Sequence, residues 1–415
     1  MIMKRIAFKM AAAVLAAAFF TACSPEVQEP TGASFPDMGW LFLGKAPYTL
    51  ETKVEAAPGP GTFQLVTDLS LMGEPEVVLS TDVEVAPDST LTVALGSLAP
   101  GFYEVRLRDS VRWNIGVRPD DVVSAPDAQP DFDAFWAQTL AELAEVPLDV
   151  EWTEIPEFSN EKRTCYEVRY PSWGGGVAGG IISIPVAEGT YPVCLQYMGY
   201  GAPVYHFDPN AAADRIEFAV SIRDQGIFKG DQDRWIDRGL ASKETFYYRG
   251  AFCDAKRAVD FVASLPKADP DRMVAIGESQ GGALSFVAAA LDSRIKAIGP
   301  AVPFLGDYPD YAKIVFWPVH EVFEQADAEG IDRDELFKML SYFDVKNFAP
   351  RIQCPTYMAF GLQDPTCPPH TNFSIYNNLG TKDKRFYCVP TCGHAMWQVP
   401  AWAAERDAFL EKFFE

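Results

Sequence analysis

The sequence predicts an α/β fold whose main part is a doubly wound sheet, preceded by a smaller β-sandwich unit. Three observations lead to this prediction. From residue 131 to the last residue, apolar strand patterns alternate with helical patterns, which is typical of a sheet covered by helices on both faces. One of these strands runs into a Gly-x-Ser-x-Gly turn followed by a helix. Residues 39–119 instead carry short Val-, Leu- and Thr-rich runs.

Residues 1–22 predict a signal peptide, because a basic start precedes an apolar run over 10–20 that is too short to span a bilayer. The small residues Thr21-Ala22 directly before Cys23 indicate bacterial lipoprotein processing, with Cys23 acylated after cleavage. An ordinary signal peptide is the alternative. Residues 23–38 then form a lipid-anchored tether, and we expect the protein in the cell envelope, on the periplasmic or outer surface.

Residues 39–119 predict a small antiparallel β-sandwich domain, immunoglobulin-like in outline. Alternation of apolar and polar residues is clearest over 90–95 and 102–107, and clusters of Pro, Gly, Asp and Ser separate the runs. The predicted strands are 39–43, 50–56, 62–69, 76–85, 91–95, 103–107 and 113–117.

A Pro- and Asp-rich linker over 120–130 leads into one α/β domain, predicted over 131–415, and suggests that the two units are separable. The domain starts with an amphipathic helix over 132–146 and contains a largely helical insertion over 308–348 that we expect to cap the site. Its predicted strands are 165–170, 180–185, 193–197, 218–222, 273–276, 297–301, 356–360 and 384–389.

The turn around Ser279 has the pattern of a nucleophile elbow, in which a strand, a tight turn and a helix hold a serine at the carboxyl end of the sheet. Gly277 and Gly281 leave room for the turn, and Gly282 allows the helix to start close to the sheet. The Ser279 hydroxyl can then attack a carbonyl carbon. The backbone N–H of Gln280 points the same way and can stabilise the oxyanion.

A serine nucleophile needs a base and an orienting acid, which follow it in the order Asp or Glu, then His in this kind of fold. The chain has four histidines, and His206, His320 and His370 precede the serine or lie in helical patterns. His394 follows the last predicted strand, where the base belongs. Asp364 follows the strand before it and is the predicted acid, although Asp before Pro is also common in turns.

A second oxyanion donor is expected from the loop after the predicted strand 193–197. Glycines flank Tyr200 in this loop and allow its backbone N–H to turn inward. Packing of Tyr200 on the rim of the pocket is the alternative.

These motifs together resemble the acetyl xylan esterase and cephalosporin C deacetylase family, carbohydrate esterase family seven, of the α/β-hydrolase superfamily. The resemblance implies the α/β-hydrolase fold, with Ser279 as nucleophile, His394 as base and Asp364 as its partner. It also implies an oxyanion hole made by the backbone N–H groups of Tyr200 and Gln280. The matching segments are 199–201, 222–226, 247–250 followed by 254–255, 277–282 and 302–305. The Asp364 loop with 367–369 and the pair 393–394 complete the order.

The chain departs from this family at three points. Asp224 stands where the family usually has the glycine of Arg-Gly-Gln, and Ala395 stands where a Glu often follows the catalytic His. The signal peptide and the additional domain are the third departure. The added domain could block the contacts of the family's usual oligomeric ring, so the oligomeric state is left open.

Composition limits the partners of the chain. Its apolar fraction of 48% suits a large core, and its net charge of −22 disfavours nucleic acid and anionic substrates. We expect a neutral saccharide ester as substrate and contact with the membrane only through the lipid anchor. No C-x-x-C pair or zinc-type ligand spacing occurs, so neither a metal nor another cofactor is predicted. A disulfide between Cys388 and Cys392 is left open.

The sequence therefore predicts a serine esterase that deacetylates acetylated xylo-oligosaccharides or related sugars through an acyl-enzyme. Two alternatives are another α/β-hydrolase, such as a feruloyl-type esterase or a peptidase, and a non-catalytic surface glycan-binding lipoprotein. The intact set of Ser279, Asp364 and His394 argues against the last of these.

Overall fold

The computed structural model describes residues 39–108 and 110–415. The predicted signal peptide, the tether and Cys23 lie outside the described residues and stay predictions. Among the described helices, none combines the length and the apolar character needed to cross a bilayer.

The first seven strands, called the β unit, form two sheets. A five-stranded sheet has the order β1-β7-β6-β3-β4, and β2 pairs with β5. Apolar side chains alternate with exposed ones along β5, so one face of that strand supplies the core of the unit. The immunoglobulin-like description of this unit stays a prediction. The strands are Leu41–Phe42 (β1), Tyr48–Lys53 (β2), Gly59–Thr67 (β3), Val77–Val85 (β4), Thr90–Gly96 (β5), Gly101–Leu107 (β6) and Val111–Val117 (β7).

The remaining nine strands form one sheet in the order β16-β15-β14-β13-β11-β12-β10-β9-β8. The strands from β11 to β16 run parallel, whereas β8, β9 and β10 add to the sheet in antiparallel fashion. The strands are Glu151–Glu154 (β8), Arg163–Pro171 (β9), Val177–Pro185 (β10), Tyr191–Tyr197 (β11), Ile216–Ser221 (β12), Ala268–Glu278 (β13), Ile295–Ala301 (β14), Thr356–Gly361 (β15) and Lys384–Val389 (β16).

Helices surround this sheet, as expected for the α/β-hydrolase fold. The second and third helices are buried along most of their length and pack against the central strands. Four short helices fill the predicted insertion. The helices are Phe132–Ala144 (α1), Tyr247–Ala263 (α2), Gln280–Leu291 (α3), Tyr308–Ile314 (α4), Val319–Glu329 (α5), Arg333–Leu340 (α6), Val345–Phe348 (α7), Pro369–Asn377 (α8) and Pro400–Glu411 (α9).

The predicted linker is bound to the surface of the α/β domain. The Asn378 side-chain amide donates to the Ser124 carbonyl at 2.7 Å, and the Asp127 backbone N–H donates to the Asn347 side chain at 2.9 Å. Phe102 of the β unit also packs against Phe373 of α8, with ring centroids 5.7 Å apart. The Met72 backbone N–H of the same unit donates to the Lys313 carbonyl of α4 at 2.9 Å. The β unit therefore rests on α8 and on α4 of the insertion.

Candidate active site

Ser279 is the single residue between the end of β13 and the start of α3. Its backbone has φ 58° and ψ −121°. A residue other than glycine adopts this backbone conformation only when the surrounding structure enforces it. The Ser279 N–H donates to the Ala301 carbonyl at 3.0 Å, which fixes the turn on the neighbouring strand β14. The predicted elbow geometry is therefore present at Ser279.

The glycines on both sides of the serine have no space for a side chain. A Cβ on Gly277 would collide with the Gly281 carbonyl group, and a Cβ on Gly281 would collide with the Tyr197 carbonyl oxygen. The backbone of the turn thus lies directly against the end of β11. This close approach brings the start of α3 beside the loop that contains Tyr200.

Asp364 and His394 lie in the loops that follow β15 and β16 and form a hydrogen-bonded pair. The distance from His394 Nδ1 to Asp364 Oδ2 is 2.8 Å. The other carboxylate oxygen accepts the backbone N–H groups of Thr366 at 2.8 Å and Cys367 at 2.9 Å. Because an ionised carboxylate only accepts, the His394 proton lies on Nδ1, and Nε2 is left as the basic nitrogen.

The charge of Asp364 controls the basicity of His394. Burial alone would lower the pKa of His394, but the charge and hydrogen bond of Asp364, together with the adjacent Cys367, raise this pKa well above 6.5. An imidazole with a raised pKa is a stronger base and needs a more alkaline solution to become neutral.

Cys367 links the serine and the histidine, a role that the sequence did not predict for this member of the Asp364 loop. Its thiol is buried and lies within hydrogen-bonding reach of both the Ser279 hydroxyl and the His394 ring. Burial raises the pKa of this thiol, so it is neutral near pH 7. The contact brings Ser279, His394 and Asp364 into one constellation; their catalytic roles stay predictions.

Tyr200 lies in the loop after β11, as predicted for an oxyanion donor. Its hydroxyl oxygen accepts the backbone N–H groups of Trp235 at 2.7 Å and Ile236 at 3.2 Å. Burial raises the pKa of Tyr200 to about 12, so the phenol stays neutral. The side chain is thereby anchored away from solvent, and the oxyanion role rests on the backbone N–H.

A buried network of side chains joins the Tyr200 loop to the elbow. Gln225 Oε1 accepts the Gly201 backbone N–H at 2.9 Å and the Gln280 amide at 3.1 Å. Tyr248 donates to Gln280 Oε1 at 3.0 Å. Gln225 and Tyr248 entered the sequence analysis only as parts of the family motifs, because hydrogen bonds between distant segments leave no local pattern.

The segment that carries Gln225 is itself fixed by an ion pair. Arg223 Nε and Nη2 both donate to the Asp254 carboxylate at 2.8 Å, and Asp254 is fully buried. Asp224 has φ 62°, a left-handed conformation that explains why glycine suits this position and why Asp is tolerated. Its side chain pairs with Arg238 at 3.0 Å.

Glu278, inside the predicted Gly-x-Ser-x-Gly motif, is a second carboxyl group beside the nucleophile. Burial raises its pKa to about 7, and the charges of Arg406 and His394 oppose that rise. Its Oε2 atom is buried and has no hydrogen-bond partner among the described residues. The sequence pattern contained this residue, but its burial and its proximity to His394 depend on the fold.

One group of residues could offer metal ligands, although the sequence predicted no metal. Ligand atoms of Asp307, Asp310 and His370 lie within 4.8 Å of one another. However, Asp307 accepts from Lys346 at 3.0 Å, and His370 is hydrogen-bonded to Asp68 at 3.1 Å. These donors and acceptors are engaged in ion pairs, and we interpret the group as an electrostatic cluster.

The seven cysteines among the described residues form no disulfide. Cys388 and Cys392, for which the sequence left a disulfide open, are both buried thiols.

Comparisons with known proteins agree with this geometry. The family model "Acetyl xylan esterase (AXE1)" matches residues 122–411. The chain is 25% identical to the acetyl esterase Axe7A of Xylanibacter ruminicola over 71% of each chain. An acetyl xylan esterase structure from Paenibacillus sp. R4 superposes with a TM-score of 0.65 at 29% identity, covering 71% of this chain and 98% of that one. The structure of acetyl xylan esterase 1 from Thermoanaerobacterium sp. JW/SL YS485 superposes with a TM-score of 0.65 at 28% identity. The match covers 72% of this chain and 98% of that one.

The matched family segment contains the elbow, the Asp364–His394 pair and the Tyr200 loop. The N-terminal β unit lies entirely outside it. On these grounds the chain belongs to the acetyl xylan esterase family and is a carboxylic ester hydrolase of α/β-hydrolase fold.

Proposed function

We propose that the protein is a serine esterase that removes acetyl groups from acetylated xylo-oligosaccharides or related sugars through an acyl-enzyme. One observation carries the proposal: His394 Nδ1 is held 2.8 Å from the buried Asp364 carboxylate beside the serine of a strained elbow. This is the arrangement that an activated serine requires. The family membership of the chain supports acetyl as the acyl group.

In the proposed reaction, Ser279 Oγ attacks the acetyl carbonyl carbon while His394 Nε2 takes the hydroxyl proton. The backbone N–H groups of Tyr200 and Gln280 donate to the oxyanion that develops. Collapse of the tetrahedral intermediate breaks the ester bond, and the imidazolium returns the proton to the departing sugar oxygen. A water molecule then hydrolyses the acetyl-serine ester by the same steps.

The nucleophile is tested with Ser279→Ala. We expect kcat/KM for p-nitrophenyl acetate to fall by several powers of ten, up to about 10⁶, while circular dichroism stays that of the parent. Ser80→Ala, which changes an exposed serine on β4, serves as the matched control. A folded Ser279→Ala protein that retains most of its activity would exclude this serine from the reaction.

The acyl group is tested with nitrophenyl esters from acetate to octanoate and with acetate release from acetylated xylo-oligosaccharides. A pocket fitted to two carbons rejects longer chains by steric overlap, whereas each methylene gained in a larger pocket improves binding by about 1–3 kcal/mol. We expect rates to fall with chain length. Rates that climb with chain length, or no acetate release from any sugar, would favour the alternative esterase activities.

We further propose that the mature protein is a lipoprotein anchored to the cell envelope through Cys23. The Thr21-Ala22 pair before this cysteine and the preceding basic and apolar segments support this. Cys23→Ser should move the protein from the membrane fraction to the soluble fraction of lysed cells. Identical fractionation of parent and variant would contradict the anchor.

A further inference from the structure

Three large aromatic side chains near the candidate site are exposed to solvent. Phe316 is 56% exposed, Trp317 is 48% exposed and Trp397 is 51% exposed. We call these three residues the aromatic rim. Exposed aromatic surface of this size is costly in water and commonly marks a binding surface.

Trp397 stands directly beside the catalytic histidine. Its ring centroid lies 6.1 Å from that of His394, with the two planes at 84°. Its backbone amide faces the carboxyl group of Glu278, the residue before the nucleophile. About half of the Trp397 surface is nevertheless open to solvent, so a ring beside His394 still has surface available for a ligand.

Trp317 lies between α4 and α5 and is attached to the loop of the catalytic acid. The Tyr311 hydroxyl donates to the Thr366 carbonyl at 2.8 Å and lies 3.5 Å from the Trp317 carbonyl. Thr366 is two residues from Asp364. The insertion thus places Trp317 beside the same loop whose backbone holds the Asp364 carboxylate.

A second set of contacts ties Trp317 to the oxyanion side of the site. Its indole N–H faces the Glu321 carboxylate, which lies 3.6 Å from Arg234. The residue after Arg234 donates its backbone N–H to the Tyr200 hydroxyl. Phe316 stacks on His320 with centroids 4.2 Å apart and planes at 10°. The rim is therefore held by side-chain contacts on both sides.

The chemistry of the rim selects one kind of partner. A pyranose ring has an apolar face of C–H groups that packs flat on an aromatic ring, and hydroxyl groups at its edge that bond to nearby carboxylates. Glu321 supplies such an acceptor beside Trp317, and the net charge of −22 disfavours an anionic ligand. A second protein copy seated on these rings would instead obstruct the approach to His394.

We propose that the aromatic rim binds the sugar rings next to the acetylated residue. The inference rests on the proposed deacetylase function and deepens it. It predicts that the rim contributes binding energy for a chain of pyranose rings. p-Nitrophenyl acetate is too small to contact the whole rim and should gain less of this binding energy.

The test compares kcat/KM for acetylated xylohexaose with kcat/KM for p-nitrophenyl acetate. In Trp317→Ala the ratio of the two should fall about tenfold, equal to about 1.4 kcal/mol of transition-state binding. Trp317→Phe should restore part of the ratio because it keeps a flat ring. The matched control is Trp152→Ala, which removes a tryptophan that is 42% exposed. Trp152 lies on β8, the edge strand opposite β16 in the nine-stranded sheet.

A binding experiment separates this inference from the proposed function. Xylohexaose without acetyl groups is titrated into Ser279→Ala protein, with and without Trp317→Ala, and heat release is measured. Weaker xylohexaose binding on loss of Trp317 supports sugar binding by the rim. If the parent deacetylates no sugar, that result contradicts the proposed function only and leaves the binding result standing. The proposal that the rim binds sugar would be overturned by an unchanged activity ratio together with unchanged binding. An equal loss in the Trp152→Ala control would also overturn it.

Discussion

Glu278 and Asp364 are two carboxyl groups that act on the same imidazole from different elements. Asp364 is hydrogen-bonded to His394 Nδ1, whereas Glu278 acts through its charge alone. An imidazolium beside two carboxylates is stabilised over the neutral ring, so each carboxylate raises the pKa of the base. The proposed mechanism requires neutral His394, and the acid limb of the rate profile should therefore lie above pH 6.5.

Glu278→Gln should move this acid limb to lower pH. The pKa of Glu278 is raised to about 7, so the side chain carries most of its negative charge above that pH. Removing this charge destabilises the imidazolium and lowers the pKa of His394, by about half to one unit. The measurement is kcat/KM for p-nitrophenyl acetate between pH 5 and 10.

Asp271→Asn is the control for this prediction, since its carboxylate lies on the same strand and is 87% exposed. Its profile should coincide with that of the parent. An acid limb of Glu278→Gln that stays in place or moves to higher pH would show that Glu278 does not influence the base.

The catalytic candidates could be predicted at the residue scale because each follows an apolar strand in a fixed chain order. In the structure Ser279 directly follows β13, and Asp364 and His394 lie in the loops after β15 and β16. Cys367 could not be predicted, since its contact with Ser279 and His394 depends on how the loop after β15 folds back. The raised pKa of Glu278 likewise depends on burial by segments distant in sequence.

At the scale of elements, apolar runs predicted eight strands that the structure contains as β9 to β16. The edge strand β8 was missed because all four of its residues are exposed and provide no apolar run. Pairing could not be predicted either: the antiparallel addition of β10 to β12 depends on long-range contacts, not on local sequence. For the same reason the contacts of the predicted linker were not foreseen.

Gln225 connects two elements, the Tyr200 loop and helix α3, and we expect it to be a positioning residue. Gln225→Leu would remove the side-chain acceptor of the Gly201 N–H and would leave the Gln280 amide with only the Met198 carbonyl, 3.5 Å away. The free energy of unfolding should fall by about 1–3 kcal/mol. Misplacement of the oxyanion donors should lower kcat about 10- to 100-fold with little change in KM.

Steady-state kinetics and urea unfolding check this prediction. The exposed Gln138 of α1, changed to Leu, serves as control and should alter neither quantity appreciably. A stability loss without any fall in kcat would mean that the network holds the fold but does not position the oxyanion donors.

At the scale of the whole molecule, the β unit contacts the loop that carries Asp364, the candidate acid. The Asn114 backbone N–H donates to the Gln363 side chain at 2.7 Å, and the Gln363 amide donates back to the Asn114 carbonyl at 3.1 Å. Gln363 directly precedes Asp364. Although the linker composition suggested separable units, these contacts lead us to expect that deletion of the β unit would disturb the acid loop.

A buried ion cluster crosses the same boundary. His370 of α8 lies 3.1 Å from Asp68 of the β unit and 3.4 Å from Asp310 of α4, which also pairs with Lys313. Burial would lower the pKa of His370, but the two carboxylates outweigh burial and raise it to about 10. The charged imidazole therefore joins the two units across the physiological pH range.

The cluster should make stability fall in alkaline solution. Because the pKa of His370 is raised from 6.5 in the unfolded chain to about 10, its stabilisation is complete below pH 6.5 and disappears as pH rises through about 10. His370→Gln should lower the free energy of unfolding by about 3–5 kcal/mol at pH 6, since two carboxylates lose their buried partner. Urea unfolding at pH 6, 8 and 10.5 should show that the difference in unfolding free energy between parent and variant shrinks as pH rises.

The control is His206→Gln, which changes a ring stacked on Phe158 and should give a small difference in unfolding free energy that does not shrink in this way. A His370→Gln difference that is equally constant would mean that the charge of His370 does not stabilise the contact between the units.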